Sequence, residues 1–318
     1  MKKKMFIFFL VLMAIIYVLI LKFQGFRLDL LYTANLTYVL MAFLTLFLIL
    51  AVRSLKYWIL LRAAKINAGI EAFPTTTLGF YANFISPIRI SELVRSFIIK
   101  EKTKKSFFKI LPPTIMDSLI DTSAMVFVIM VLSLFTTLSI DYLSKLVIIG
   151  IFAIIVFSLF FMISTKRGER IMIKLVKLFS SRFLKGKAEM KSAQFIKNLR
   201  DLLHKPKLII TIFAMACFIW FLEGLKLYFI VLASGVGLSI LLTTLIISIA
   251  YLIGGSFVNP SGITQETVLL LLLLQLPFAK NNMLLAGSLD VIITVGTILV
   301  LGTIFLLRFG VKVLKAQT

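Results

Sequence analysis

The stretch Asn83-Phe-Ile-Ser-Pro-Ile-Arg-Ile-Ser-Glu-Leu-Val-Arg95 lies between long apolar runs and carries Arg89, Glu92, Arg95 and a helix-breaking proline. Hydropathy alone would place it in lipid. Ile90–Ile99, the apolar-leaning run after Pro87, is too short to cross: ten residues of helix reach about 15 Å, against roughly 30 Å of hydrocarbon. The chain here is therefore expected to enter the membrane, break, and leave on the side it entered.

The rest of the sequence supports a membrane setting. Hydrophobic residues make up 60% of the 318, and the mean hydropathy is +1.07. That is more apolar surface than one soluble core hides, and the apolar runs are long enough to span as helices. The fold class is all-α, a polytopic integral membrane protein. A β-barrel would show short alternating segments instead. Full spans are predicted at Met5–Leu21, Asn35–Val52, Ile110–Thr136, Leu143–Thr165, Leu208–Ala233 and Met283–Leu307. The first is read as an uncleaved span, because no small-x-small site follows it.

The net charge of +22 is not a nucleic-acid signal. Lys and Arg gather at the ends of apolar runs and in the loop Lys166–Lys207, as the positive-inside rule requires. Met1–Lys4, Arg53–Lys65, Lys100–Lys109, Lys166–Lys207 and Arg308–Lys315 are read as cytoplasmic. Lys22–Ala34, Thr137–Tyr142, Ser234–Leu238 and Pro277–Asn282 are read as facing out. Both termini are then cytoplasmic in a plasma-membrane protein. These assignments agree if Phe73–Ile99 and Ser239–Leu276 each leave the membrane where they entered. That gives about six full spans plus two broken, re-entrant hairpins of opposite orientation, interrupted at Ser86–Glu92 and Asn259–Glu266. Such a pair suggests an inverted repeat with its site at the interruptions, and the two polar tips are expected to meet in one chamber. No linker or second composition class appears, so residues 1–318 are read as a single transmembrane domain. Within the 166–207 loop, Arg170, Lys174, Lys177 and Lys185 form one helical stripe, opposite Ile171, Leu175, Leu178 and Phe183. That pattern suits a basic amphipathic helix on an anionic leaflet.

One cysteine and one histidine (Cys217, His204) leave no intramolecular disulfide, no His-based metal centre and no Ser-His-Asp arrangement. No cofactor and no catalytic constellation are expected. The ionisable residues inside apolar segments carry what chemistry there is: Arg89, Glu92, Arg95, Asp117, Asp121, Glu223, Lys226, Glu266 and Asp290. Each costs roughly 2.5–3.5 kcal/mol at mid-bilayer, so they should face one another or water. Asp117 and Asp121 share a helix face, and Glu223 and Lys226 are spaced to pair. Six acids against three bases point to carboxyl groups that hold protons or to a cationic partner. A half-helix starting near Ile90 aims its positive end at mid-membrane, and with Arg89 beside it the patch is a candidate phosphate site.

At these residues the sequence resembles the flippase-like domain family, also called the lysylphosphatidylglycerol synthase transmembrane region. Its Asn…Pro-x-Arg-x-Gly-Glu-x-x-Arg motif stands here as Asn83, Pro87, Arg89, Glu92 and Arg95, with Ser91 in place of the glycine. The family's Glu-Arg-x-x-Asp falls on Asp117, Ser118 and Asp121, without the arginine. Its Pro-Gly-Gly-x-Gly-x-x-Glu is similar to the segment with Pro260, Gly262 and Glu266, preceded by Asn259. Asp290 stands where an arginine is common in the last span. The resemblance implies movement of a lipid head group, aminoacylated phospholipid or polyprenyl-linked, with these twelve positions (Asn83 through Asp290) lining the path. It also implies a stand-alone translocator without the synthase domain. The expected partner is an anionic phospholipid or polyprenyl-phosphate lipid. Two alternatives accompany this reading. One is an accessory subunit of a soluble or membrane transferase that modifies lipid or glycan. The other is a membrane prenyl- or glycosyl-transferase, which would need clustered aspartates for Mg²⁺–diphosphate.

Overall fold

A computed structural model describes residues 28–85, 90–135, 188–256 and 261–315. The described residues are helical, with no strand among them. Four helical stretches are long and apolar enough to cross a membrane: Leu36–Ala63, Phe107–Phe135, Pro206–Ala233 and Lys280–Arg308. They coincide with four of the six predicted spans. The other two, Met5–Leu21 and Leu143–Thr165, lie outside the described residues, as does the stripe from Arg170 to Lys185.

In chain order the helices are α1 (Leu36–Ala63), α2 (Ala72–Ile85), α3 (Ser91–Thr103), α4 (Phe107–Phe135), α5 (Ala188–Leu203), α6 (Pro206–Ala233), α7 (Ile240–Ser256), α8 (Ser261–Leu274), α9 (Lys280–Val291) and α10 (Thr297–Lys315). A π-helical segment, Ile292–Gly296, joins the last two. The two interrupted regions are indeed pairs of short helices. The longest of the four, α7, has 17 residues, or about 26 Å, still under the hydrocarbon thickness. The sequence Ser86-Pro87 follows α2 and Pro260 precedes α8, because a proline disfavours helix in the residue before it. Residues 86–89 and 257–260, the tips themselves, are outside the described residues. So is any meeting of the two.

One boundary differs from expectation. The span read as Asn35–Val52 continues as helix to Ala63, so most of Arg53–Lys65 extends that helix. Arg53 and Lys56 are buried inside the protein. Helix α1 stops where Lys65 takes a left-handed conformation, φ 59°. There the Lys65 N–H donates to the Arg62 carbonyl and the Ile66 N–H to that of Leu61, closing the end with a Schellman pattern. Lys205 Nζ adds a bond to the Ala63 carbonyl at 2.8 Å. Helix α6 ends the same way on Gly235, φ 79°.

The described residues fall into two compact units. One gathers those of Met1–Ala51, Thr76–Ser91 and Ile219–Thr318; the other gathers those of Val52–Thr75 and Glu92–Phe218. The first unit is built on an apolar core that includes Leu46, Leu227, Ile247, Leu273, Met283 and Ile293. Glycines let its helices touch, as small residues do in membrane bundles. A Cβ on Gly224 would meet Thr244 at 1.8 Å, and one on Gly254 would meet the Gln265 backbone at 2.5 Å. Thr243 Oγ1 donates to the Gly224 carbonyl across that contact, 3.0 Å. Trp220 packs edge-on against Tyr251, ring centroids 5.4 Å apart. The second unit has its own apolar cluster, Tyr57, Leu61, Ile66, Ile99 and Ile110 among others. There Arg62 lies over the Trp58 ring at 5.1 Å. Its α5 is amphipathic, with Leu199 and Leu202 buried and Lys197 and Asp201 exposed.

Candidate functional site: two buried charge clusters

The second unit collects three cations and three acids. Asp117 and Asp121, one turn apart on α4, both meet the amine of Lys56, with Asp117 at 3.1 Å. Arg53, one turn before Lys56 on α1, reaches Asp121 at 3.3 Å. Arg95 on α3 donates to the other oxygen of Asp117 at 2.7 Å and to Ser118 Oγ at 3.3 Å. Ser118 in turn donates to Glu92 at 2.6 Å. The Arg95 guanidinium stacks 4.8 Å from the Tyr57 ring, whose hydroxyl pairs with Thr114 at 2.9 Å. Lys56 is completely buried, and Arg53, Arg95 and Asp117 nearly so. Arg95 Nε is buried without an acceptor. Charge is balanced in this cluster, as the low dielectric of a membrane interior demands.

Local sequence explains the placement. Arg53 and Lys56 are three apart, and Asp117 and Asp121 four apart, so each pair shares a helix face. Glu92 opens α3, where a carboxylate suits the helix dipole. Asn83 near the end of α2 accepts from the backbone N–H groups of Ile90 and Ser91 at 3.1 and 2.9 Å. Those donors head α3, so Asn83 satisfies part of the half-helix start from its own side of the break.

The first unit holds the opposite kind of cluster. Lys226 on α6 meets Asp290 of α9 at 3.0 Å and Glu223 at 3.2 Å. It also donates to Thr294 of the π-segment at 2.7 Å. Glu266 from α8 turns its side chain to that of Asp290. Lys226 and Asp290 are completely buried, and Glu223 and Glu266 nearly so. The expected Glu223–Lys226 pair is present but is one arm of a wider cluster.

Of the twelve expected site residues, Glu92, Arg95, Asp117 and Asp121 come together in the second unit, and Glu266 and Asp290 in the first. Asn83 supports the backbone. Gly262 lies in the first turn of α8. Pro87, Arg89, Asn259 and Pro260 lie outside the described residues. The sequence reading missed Arg53 and Lys56. Their signal was the i, i+3 spacing on an apolar helix, hidden because Lys and Arg past an apolar run also mark a cytoplasmic flank.

An all-helical chain with membrane-length spans and ionisable groups folded inward defines a polytopic membrane protein. Comparison with known proteins gives the family. A profile described as the lysylphosphatidylglycerol synthase TM region matches residues 5–302, and the chain belongs to that family. It is also similar to a UPF0104 membrane protein of Methanothermobacter thermautotrophicus, 28% identical over 250 residues, which are 74% of each chain. No solved structure matches it.

Proposed function

We propose that the protein moves the phosphate-bearing head group of a membrane lipid, phospholipid or polyprenyl-linked, across the bilayer. The observation that carries this reading is the buried convergence of Arg53, Lys56 and Arg95, with the Arg95 Nε donor left without an acceptor. A guanidinium with a free donor is suited to a phosphate oxygen. Arg89 belongs to the same family motif as Arg95 and is part of the proposed phosphate-binding set. Ion pairs with Asp117 and Asp121 hold the cations in place while no lipid is bound, and the phosphate competes for them. The tails stay in lipid, so only the head group needs shelter. No covalent step is assigned. A Mg²⁺–diphosphate transferase would need Asp117 and Asp121 open to metal, whereas both engage Lys56. Plasma-membrane location with cytoplasmic termini is part of the same proposal.

The test is a reconstituted one. Purified protein in vesicles carrying a head-group-labelled anionic phospholipid or polyprenyl phosphate should expose the label to a membrane-impermeant quencher faster than empty vesicles do. Loss of a charge-assisted bond is worth roughly 1.5–3 kcal/mol, so Arg95→Ala should slow this by about ten-fold or more. Movement at the native rate in Arg95→Ala vesicles, or none with native protein, defeats the proposal.

A further inference from the structure

In the first unit two carboxyl groups, Glu223 and Asp290, meet the Lys226 amine and a third, Glu266, meets Asp290, so the four side chains, if all ionised, carry an excess of two negative charges in an apolar core. Lys226 is already divided among Asp290, Glu223 and Thr294, so its one positive charge serves all three carboxyl groups. Glu266 meets Asp290 carboxyl to carboxyl. A hydrogen bond between two carboxyl groups needs a hydrogen, which neither carboxylate can supply. Glu266 Oε2 and Asp290 Oδ2 are both buried, and no donor reaches either. The helices that carry the pair pack closely on their neighbours. A Cβ on Gly254 would lie 2.5 Å from the Gln265 backbone, and one on Gly287 would lie 2.6 Å from Leu270. The π-segment directly after α9 brings Thr294 to Lys226 and within 3.4 Å of Asp290, and such bulges recur at functional sites.

We propose that Glu266 and Asp290 form a proton-binding site, with one exchangeable proton held between their carboxyl groups. Uptake turns two carboxylates into a carboxyl–carboxylate pair by forming one O–H bond, and release reverses it. The groups that face the pair are Lys226 and Glu223 from α6, Tyr251 from α7 and Thr294 from the π-segment. The lysine stabilises the ionised half of the pair. The site goes beyond the lipid reading and does not depend on it: the pair holds its proton whether or not a lipid is moved.

Infrared spectroscopy of the purified full chain tests this, because a protonated carboxyl absorbs apart from a carboxylate and shifts in D₂O. Native protein at neutral pH should show a deuterium-sensitive protonated-carboxyl band that disappears in alkaline buffer. Glu266→Gln and Asp290→Asn should each abolish it, while Glu223→Gln, which leaves the pair intact, should keep it. Glu266→Gln should also melt at the native temperature, since its amide donates where the proton did. That variant decides the matter if Asp290→Asn, which removes a partner of Lys226, fails to fold. A native protein without the band overturns the proposal, as does a band that survives in Glu266→Gln.

Discussion

Lys56 holds the second unit's charges together. Its amine sits between Asp117 and Asp121 with no exposed surface. Removing one partner from a buried ion pair costs roughly 3–5 kcal/mol, because a charge is left behind. Lys56→Met should fall toward the lower figure, since Arg53 and Arg95 still reach the two carboxylates. Adding Asp117→Asn to Lys56→Met should recover part of the loss, a coupling that thermal unfolding in detergent would read. Simple addition of the two losses would count against the network. At this scale the sequence was only half legible. Asp117 and Asp121 announce themselves, because an acid within an apolar run has no topological reason to be there. Lys56 does not, because a cation beyond an apolar run is what topology alone would produce. The surplus of six acids over three bases shrinks once Arg53 and Lys56, which the flank concealed, are counted.

Among the helices, the breaks were more legible than the ends. Proline with polar neighbours marks an interruption by its own chemistry, so the short helices α2, α3, α7 and α8 were readable. The end of α1 was not, because it depends on Lys65 adopting a left-handed conformation and on the distant Lys205 reaching Ala63. Contact between helices depends on glycine. Gly254→Ala forces α7 from the Gln265 backbone, an overpacking that costs about 1–3 kcal/mol. Gly296→Ala meets nothing within 4 Å and should be neutral or slightly stabilising in a helix. Paired melting curves of the two variants check this, and equal stability would mean that α7 and α8 are not in backbone contact.

At the scale of the whole molecule, Lys and Arg cluster where α1 ends and α6 begins. Lys205, just ahead of α6, bonds the last turn of α1, so the two basic segments share one face of the second unit. Under the proposed orientation, the positive-inside rule puts that face on the cytoplasmic side. With Cys217 replaced, a cysteine at Ser192 should react with an impermeant maleimide only after cells are opened, and reaction in intact cells would reverse the orientation. The fold class was legible at this scale because apolar length is an additive property of sequence, and the family was legible from the motif between Asn83 and Arg95. The pairing of particular charges between helices was not, because it is made by residues 22 to 68 positions apart. The two aromatic contacts described above have an optical consequence. The chain has two tryptophans. Trp58, under Arg62, belongs to one unit; Trp220, against Tyr251, belongs to the other. Replacing either with phenylalanine leaves a single tryptophan, whose emission lies to the red of the eight tyrosines. Emission then follows the balanced cluster through Trp58 or the acidic one through Trp220, with no dye attached.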